Sequence, residues 1–311
     1  MRLIFCGTPQ FAVPTLEKLI AAGFTVQLVV TNPDEPAGRG HKTKPPPVKE
    51  AAERARLGIF QPRKLRDREA EDYISSFRPE AIVVVAYGHL IPPWMIELPK
   101  FGCINLHGSL LPKYRGAAPI QWAIVRGERT TGVTTMQIDE GLDTGPILLQ
   151  RKTEIRPDDT TEALFERLGS MGSDLIVETL RGLESGTVQP QPQDSSAATL
   201  APMLSKEDGR IDWSKTAEEI SRRVRGLRPW PGAFASFRGE QLLVWMALAT
   251  HDPAPQVPLP GTMLDHSGRL MVVCADRTTL EIKEVQLPGR KRIPARDFMN
   301  GARLRPGEKL E

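Results

Sequence analysis

The strongest constraint on how this chain can fold is a rhythm in its first half. Short, wholly apolar runs (RLIFCG, TVQLVVT, AIVVVAYG, GCINLHG) alternate with segments of helical period (FAVPTLEKLIAAG, VKEAAERARLG, DREAEDYISSF). Strand, helix, strand in repetition predicts βαβ units around a parallel sheet of the Rossmann-like α/β class. AIVVVAYG and GCINLHG are apolar without alternation, as expected of strands covered by helices on both faces. A helix near residues 117 to 127, two strands in TGVTTMQID and PILLQRKTEI, and a helix near 160 to 182 complete this half.

With 311 residues the chain is long enough for two domains. Residues 186 to 204 (GTVQPQPQDSSAATLAPML) lack periodicity and are rich in Gln, Pro, Ser and Ala, which reads as a linker. After one helix, TAEEISRRVRGL, five short strands follow in AFASFRG, QLLVWMALAT, GTMLD, RLMVVCA and TLEIKEVQL, a pattern that predicts a small β-barrel of the OB type. The expected division is therefore 1 to 185, a linker 186 to 204, and 205 to 311.

No apolar run approaches the ~20 residues of a membrane span. The N-terminal MRLIFCGTPQFAVP breaks at Gly7 and Pro9 before a signal-peptide core develops. Cys6, Cys103 and Cys274 are odd in number and set in apolar runs, which suits reduced core thiols. These features place the chain in the cytoplasm. The small basic surplus is uneven: from Ser205 onward Lys and Arg number 18 against 14 Asp and Glu, while the preceding residues carry 23 against 24.

The opening strand leads into GTPQFA, which has one glycine where a dinucleotide-binding G-x-G-x-x-G needs three, and no P-loop follows. What remains of the nucleotide-fold expectation is its general rule, that ligands bind at the carboxyl ends of the strands.

At that edge stands CINLHGSLLPKYRGAAP, residues 103 to 119. Residues i and i+2 of a strand face the same way, so Asn105 and His107 project side by side. His41, His89, His251 and His266 stand in no ligand spacing with His107, which argues against a metal centre. Ser109 lacks the glycine-flanked elbow of a serine nucleophile. The remaining reading makes Asn105 a donor to a developing oxyanion and His107 a proton handler, as acyl transfer requires. A carboxylate to tune the histidine would come from the loop DEGLDTGPI, where Asp143 is the best candidate and Asp139 the nearby rival, with Gly141 and Gly145 allowing a tight course.

GTPQFA, PAGRG at 36 to 40, NLHGSLLPKYRGAAPIQWAI at 105 to 124 and TGVTTMQIDEGLDTGPIL at 131 to 148 closely resemble the methionyl-tRNA formyltransferases, within the 10-formyltetrahydrofolate-dependent formyltransferase family. The resemblance spans nearly the whole chain. It implies transfer of a formyl group from 10-formyltetrahydrofolate, a cosubstrate, to the α-amine of initiator methionyl-tRNA, giving the formylated tRNA of translation initiation, and it implies no metal. The family's catalytic Asn, His and Asp fall on Asn105, His107 and Asp143, and its folate-contacting loop on Ser109, Leu110, Leu111 and Pro112. Crevice logic adds Val85, Ala86 and Tyr87 beside the folate ring.

Three basic clusters are candidates for holding the tRNA. The first, in GRGHKTKPPP, carries Arg39, His41, Lys42 and Lys44 directly after the second strand, and the resemblance assigns Arg39 to sensing the unpaired first base pair. The second spaces Arg222, Arg225 and Arg228 about a turn apart, and the third groups Arg290, Lys291 and Arg292. A monomer is expected. Glycinamide ribonucleotide formyltransferase would need only the first domain, whereas an aminosugar formyltransferase would also carry a second one. The PAGRG loop and the C-terminal basic clusters favour tRNA. The Asn105, His107 and Asp143 set speaks against a non-catalytic nucleic-acid-binding protein.

Overall fold

The computed structural model describes residues 1–37, 42–250, 259–305 and 307–311. The chain divides into two compact units. The first comprises Met1–Pro119, Thr130–Glu154 and Phe165–Ala201, and the second Ile120–Arg129, Ile155–Leu164 and Pro202–Glu311. In chain order the elements are β1 (Arg2–Gly7), α1 (Val13–Ala21), β2 (Thr25–Val30), β3 (Glu35–Ala37), β4 (Lys42–Lys44), α2 (Pro47–Arg54), β5 (Ile59–Phe60), α3 (Arg68–Ser76), β6 (Ala81–Val85), α4 (Pro93–Glu97), β7 (Cys103–His107), α5 (Pro119–Val125), β8 (Thr130–Gln137), β9 (Ile147–Glu154) and α6 (Thr161–Ser185). They continue with α7 (Ala217–Gly226), β10 (Ala233–Phe237), β11 (Glu240–Thr250), β12 (Met263–His266), β13 (Arg269–Val273), β14 (Thr279–Gln286), β15 (Ile293–Pro294) and α8 (Ala295–Ala302).

The first unit is built on a sheet of order β5-β2-β1-β6-β7-β8-β9. Pairing is parallel from β5 to β7 and antiparallel for β7 with β8 and β8 with β9, so the sheet is mixed where the rhythm alone predicts a parallel one. The reason at the edge is the connection: residues 138–146 are too few to carry a crossover, and the chain can only turn back. Ile4, Cys6, Leu28, Val30, Ile82, Val84 and Cys103 pack on one face with Ile74 of α3 and Met95 of α4. The alternate positions Leu3, Phe5, Val29 and Val83 are equally buried on the other face. Each such side chain contributes about 1.5–3 kcal/mol of burial, which is why β6 and β1 beyond Arg2 carry no polar side chain.

The three cysteines are unpaired and buried. Burial pushes the Cys103 and Cys274 thiols up to about 12, so the reactive thiolate is suppressed. Strand order reverses between β1 and β6, and the carboxyl ends of β1, β2, β6 and β7 share one edge, where a crevice is expected. Among the described residues no helix is long and apolar enough to cross a membrane.

The second unit carries an antiparallel sheet of order β10-β11-β14-β13-β12, with β15 paired to β14. Its core gathers Val244, Leu270, Val272, Leu280, Ile282 and Phe298 with Ala217, Ile220 and Val224 of α7. Each of the five strand segments forms. The path is open: among the described residues β10 and β12 are its two ends, so the sheet is an antiparallel one rather than a closed barrel.

α7 starts with a capping box. The Glu219 backbone N–H donates to Thr216 Oγ1 at 3.3 Å, and Glu219 Oε2 accepts from the Thr216 backbone N–H at 2.9 Å. The Thr216 backbone N–H first, and second the Thr216 hydroxyl, which donates to the same Oε2 at 2.8 Å, hold the Glu219 carboxyl below the usual carboxylate range. Thr216→Ala should therefore cost about 1 kcal/mol at neutral pH, measured by denaturant unfolding. Since a depressed carboxyl stabilises above its unfolded value of about 4.3, the difference from wild type should shrink as pH falls through Glu219's lowered folded value.

Candidate active site

β7 is pinned between β6 and β8, with Val84 opposite Asn105 on one side and Met136 on the other. That pairing fixes where the two polar side chains emerge. His107 is 6% exposed and Asn105 half-buried. The His107 ring is oriented by the Tyr114 carbonyl, 2.9 Å from Nε2. A carbonyl only accepts, so Nε2 carries the proton and Nδ1 is the nitrogen left for proton chemistry. Asp143 Oδ2 stands 3.6 Å from that Nδ1 and also accepts the Gly116 backbone N–H at 2.8 Å. Among the described residues the Asn105 side-chain amide makes no hydrogen bond.

The two aspartates of the β8–β9 loop have separate jobs. Asp139 accepts from the Gly141 backbone N–H at 3.0 Å and from Thr144 Oγ1 at 2.7 Å, and is used in building the turn. Asp143 is the one facing His107. A Cβ on Gly141 would overlap the Thr144 hydroxyl, and one on Gly145 would overlap the Gln137 carbonyl oxygen. Both glycines are thus required by close approach of the chain to itself, as the sequence suggests.

Three non-glycine residues with positive φ surround the site: Ala86 at 47°, Tyr114 at 64° and Asp143 at 53°. Each costs on the order of 1–2 kcal/mol and is held by its neighbours.

The candidate folate loop is tied from below. Thr134 Oγ1 donates to the Ser109 carbonyl at 2.6 Å and accepts from the Leu111 N–H, while Gln150 Nε2 donates to the Leu111 carbonyl at 2.8 Å. Ser109 is 1% exposed and its hydroxyl closes the turn onto the Lys113 carbonyl, so it is unavailable as a nucleophile. Leu111 is buried, whereas Leu110 and Pro112 are half-buried. At the end of β6, Val85 and Tyr87 are core side chains and Ala86 is exposed, so this strand end offers backbone and one methyl group rather than the larger side chains.

The basic candidates scatter. Arg39 and His41 lie outside the described residues; Lys42 is in β4 and Lys44, opposite Glu35 of β3, is exposed. Arg222 pairs with Glu218 at 3.5 Å. Arg225 is desolvated, which holds its guanidinium below its usual value, and donates to the Asp159 carbonyl at 2.6 Å. Arg228 reaches Glu162 at 3.7 Å and lies, with Arg292, over the ring of Trp245; Arg292 also pairs with Glu284. Arg290 and Lys291 are exposed and have no ion-pair partner among the described residues.

Sequence reasoning missed Arg115 and Gln193. Arg115 is 7% exposed, and its Nε and Nη2 donate to Gln193 Oε1 at 3.2 and 2.8 Å. The sequence signal for Arg115 was a basic residue amid GAAP-type small residues; Gln193, in the aperiodic segment 186–204, gave none.

Fold and site together define a formyltransferase: the formyl transferase family matches residues 1–180, and the formyl transferase C-terminal domain matches residues 203–303. Within that class, the chain belongs to the methionyl-tRNA formyltransferase family. It is 53% identical to the methionyl-tRNA formyltransferase of Acidobacterium capsulatum, with 100% of this chain and 99% of the relative covered. It is 52% identical to that of Solibacter usitatus, covering 100% and 98%. Among solved structures, an N-formyltransferase from Helicobacter canadensis, in complex with folinic acid and dTDP-3-aminofucose, shares the fold with a TM-score of 0.68 at 19% identity, covering 90% of this chain and 98% of that one. A methionyl-tRNA formyltransferase from Clostridium thermocellum gives 0.56 at 17%, covering 92% and 98%.

Because Gly145 sits against the Gln137 carbonyl, Gly145→Ala must push the Asp143 loop outward. Where the Asp143 carboxylate serves the reaction through His107, formyl transfer should fall by about 10²-fold in a steady-state assay while the circular dichroism spectrum stays that of a folded protein.

Proposed function

We propose that this chain transfers the formyl group of 10-formyltetrahydrofolate to the α-amino group of methionine esterified to initiator tRNA, with Asn105, His107 and Asp143 carrying the chemistry. The observation that carries the reading is an unpartnered amide, Asn105, on the same strand end as an imidazole whose Nδ1 faces a carboxylate at 3.6 Å. An amide donor without a protein partner beside a proton-handling pair suits an oxyanion that exists only during reaction.

The acceptor amine must be neutral to attack, and α-amino groups titrate near ~7.7 to 8.0, so little assistance is needed. Its nitrogen forms a bond to the formyl carbon, and the carbonyl oxygen becomes an oxyanion that accepts from the Asn105 N–H. The amine proton passes to His107 Nδ1 and from there to the departing folate nitrogen, as the bond between that nitrogen and the formyl carbon breaks. Asp143 orients the ring and stabilises the charge it carries in transit. The folate lies against the backbone at Ala86 and the strand end of Val85 and Tyr87, with Leu110 and Pro112 of the Ser109–Pro112 loop at its side.

For the tRNA, Arg39, His41, Lys42 and Lys44 flank the acceptor end, and Arg290 and Lys291 offer unpaired charge to phosphates. Arg222, Arg225, Arg228 and Arg292 shape the second unit's surface through its own carboxylates and carbonyls. We keep the division into a catalytic domain at 1–185, a connector at 186–204 and a tRNA-binding domain at 205–311, whose open antiparallel sheet we assign to the OB type. A single chain supplies all three catalytic side chains, which supports a monomer. The enzyme works in the cytoplasm, where charged initiator tRNA is found.

Asn105→Ala should lower turnover by about 10²- to 10³-fold with folding intact, and wild-type turnover would make Asn105 structural only. Methionylated initiator tRNA should be formylated and an amino sugar nucleotide should not; the reverse result would overturn the assignment. Raising salt from about 50 to 200 mM should weaken tRNA binding at least tenfold, and Arg290→Ala with Lys291→Ala should flatten that dependence.

A further inference from the structure

The segment between the two expected domains is ordered against the site. Gln191 exchanges both backbone hydrogen bonds with Ile147, the Arg115 N–H donates to the Thr199 carbonyl at 2.8 Å, and the Ala201 N–H donates to the Arg115 carbonyl at 2.7 Å. At its centre the Gln193 side chain bridges two loops. Its Nε2 donates to the carbonyls of Asp143 at 2.9 Å and Gly145 at 2.7 Å, and its Oε1 accepts both Arg115 bonds. Carbonyls only accept and a guanidinium only donates, so the amide has one possible orientation and all four of its positions are used.

We propose that Gln193 is a positioning residue for formyl transfer, holding the backbone of Asp143 so that its carboxylate stays against His107 Nδ1. The inference rests on the reading of Asp143 and His107 given above. Asp143 has a left-handed backbone at φ 53°, so it has a lower-energy alternative to relax into once released. The Gly116 N–H holds only the carboxylate; Gln193 holds the carbonyl of Asp143 itself and that of Gly145 two residues on, and Arg115 in turn fixes Gln193.

The test compares Gln193→Glu, Gln193→Ala and Asp143→Asn in the full-length enzyme, with kcat, KM for 10-formyltetrahydrofolate and for methionylated initiator tRNA, and Tm. Glutamate keeps the length of the side chain and can pair with Arg115, yet offers no N–H to either carbonyl. Both Gln193 variants should lose about tenfold or more in kcat with each KM within about twofold of wild type, and Gln193→Glu should lose only several degrees of Tm, staying folded at the assay temperature. Wild-type kcat in Gln193→Glu would overturn the proposal while an inactive Asp143→Asn leaves the site reading standing. Wild-type kcat in Asp143→Asn would overturn both.

Discussion

The bond from His107 Nε2 to the Tyr114 carbonyl is the contact around which the site is arranged. It decides which imidazole nitrogen carries the proton, and so which one meets Asp143. For that bond to form, the chain after β7 must double back on itself within seven residues, which it does through the Ser109–Lys113 turn and a left-handed Tyr114. Thr134 and Gln150 then exist to satisfy the backbone groups that the turn leaves exposed. The apolar centre of the sheet supplies the counterpart: β6 and β1 beyond Arg2 carry no polar side chain, so polar side chains near the site come from β7, β8 and the loops.

What could be read from the sequence was what depends on local period. Apolar runs and helical segments specify the βαβ half, and i, i+2 spacing on a strand puts Asn105 and His107 on one side because β-structure leaves no other choice. The loop glycines also follow from sequence, since only glycine tolerates the approach of Gly145 to the Gln137 carbonyl. The choice between Asp139 and Asp143 did not, because either carboxylate suits a turn and only the three-dimensional course of the loop assigns Asp139 to Thr144.

The segment 186–204 and the arginines in and just after α7 are less legible in sequence, for one shared reason. Backbone hydrogen bonds such as those of Thr199 and Ala201 are made by any residue, so a polar, aperiodic composition looks the same whether the chain is docked or dangling. Likewise Arg222, Arg225 and Arg228 are spaced as a cationic face. Partners distant in sequence, Asp159 and Glu162, decide that two of them act within the second unit. Periodicity reports which side chains share a face and is silent about what that face meets.

The energetics explain why such a long-range brace is present at all. Three left-handed residues around one site cost on the order of 1–2 kcal/mol each, a total comparable with a substantial part of a domain's net stability. The hydrogen bond from Gly116 to the Asp143 carboxylate, about 1.5–3 kcal/mol for a charged acceptor, offsets roughly one of them. The rest must come from neutral contacts worth about 1 kcal/mol each, and several are needed. For Asp143 and Tyr114 such contacts come from Gln193, which donates to the Asp143 carbonyl, and Thr199, whose hydroxyl accepts from the Tyr114 N–H. A strained loop at the candidate site is therefore tied to the connector, whose Gln193 supplies both donors to the Asp143 and Gly145 carbonyls.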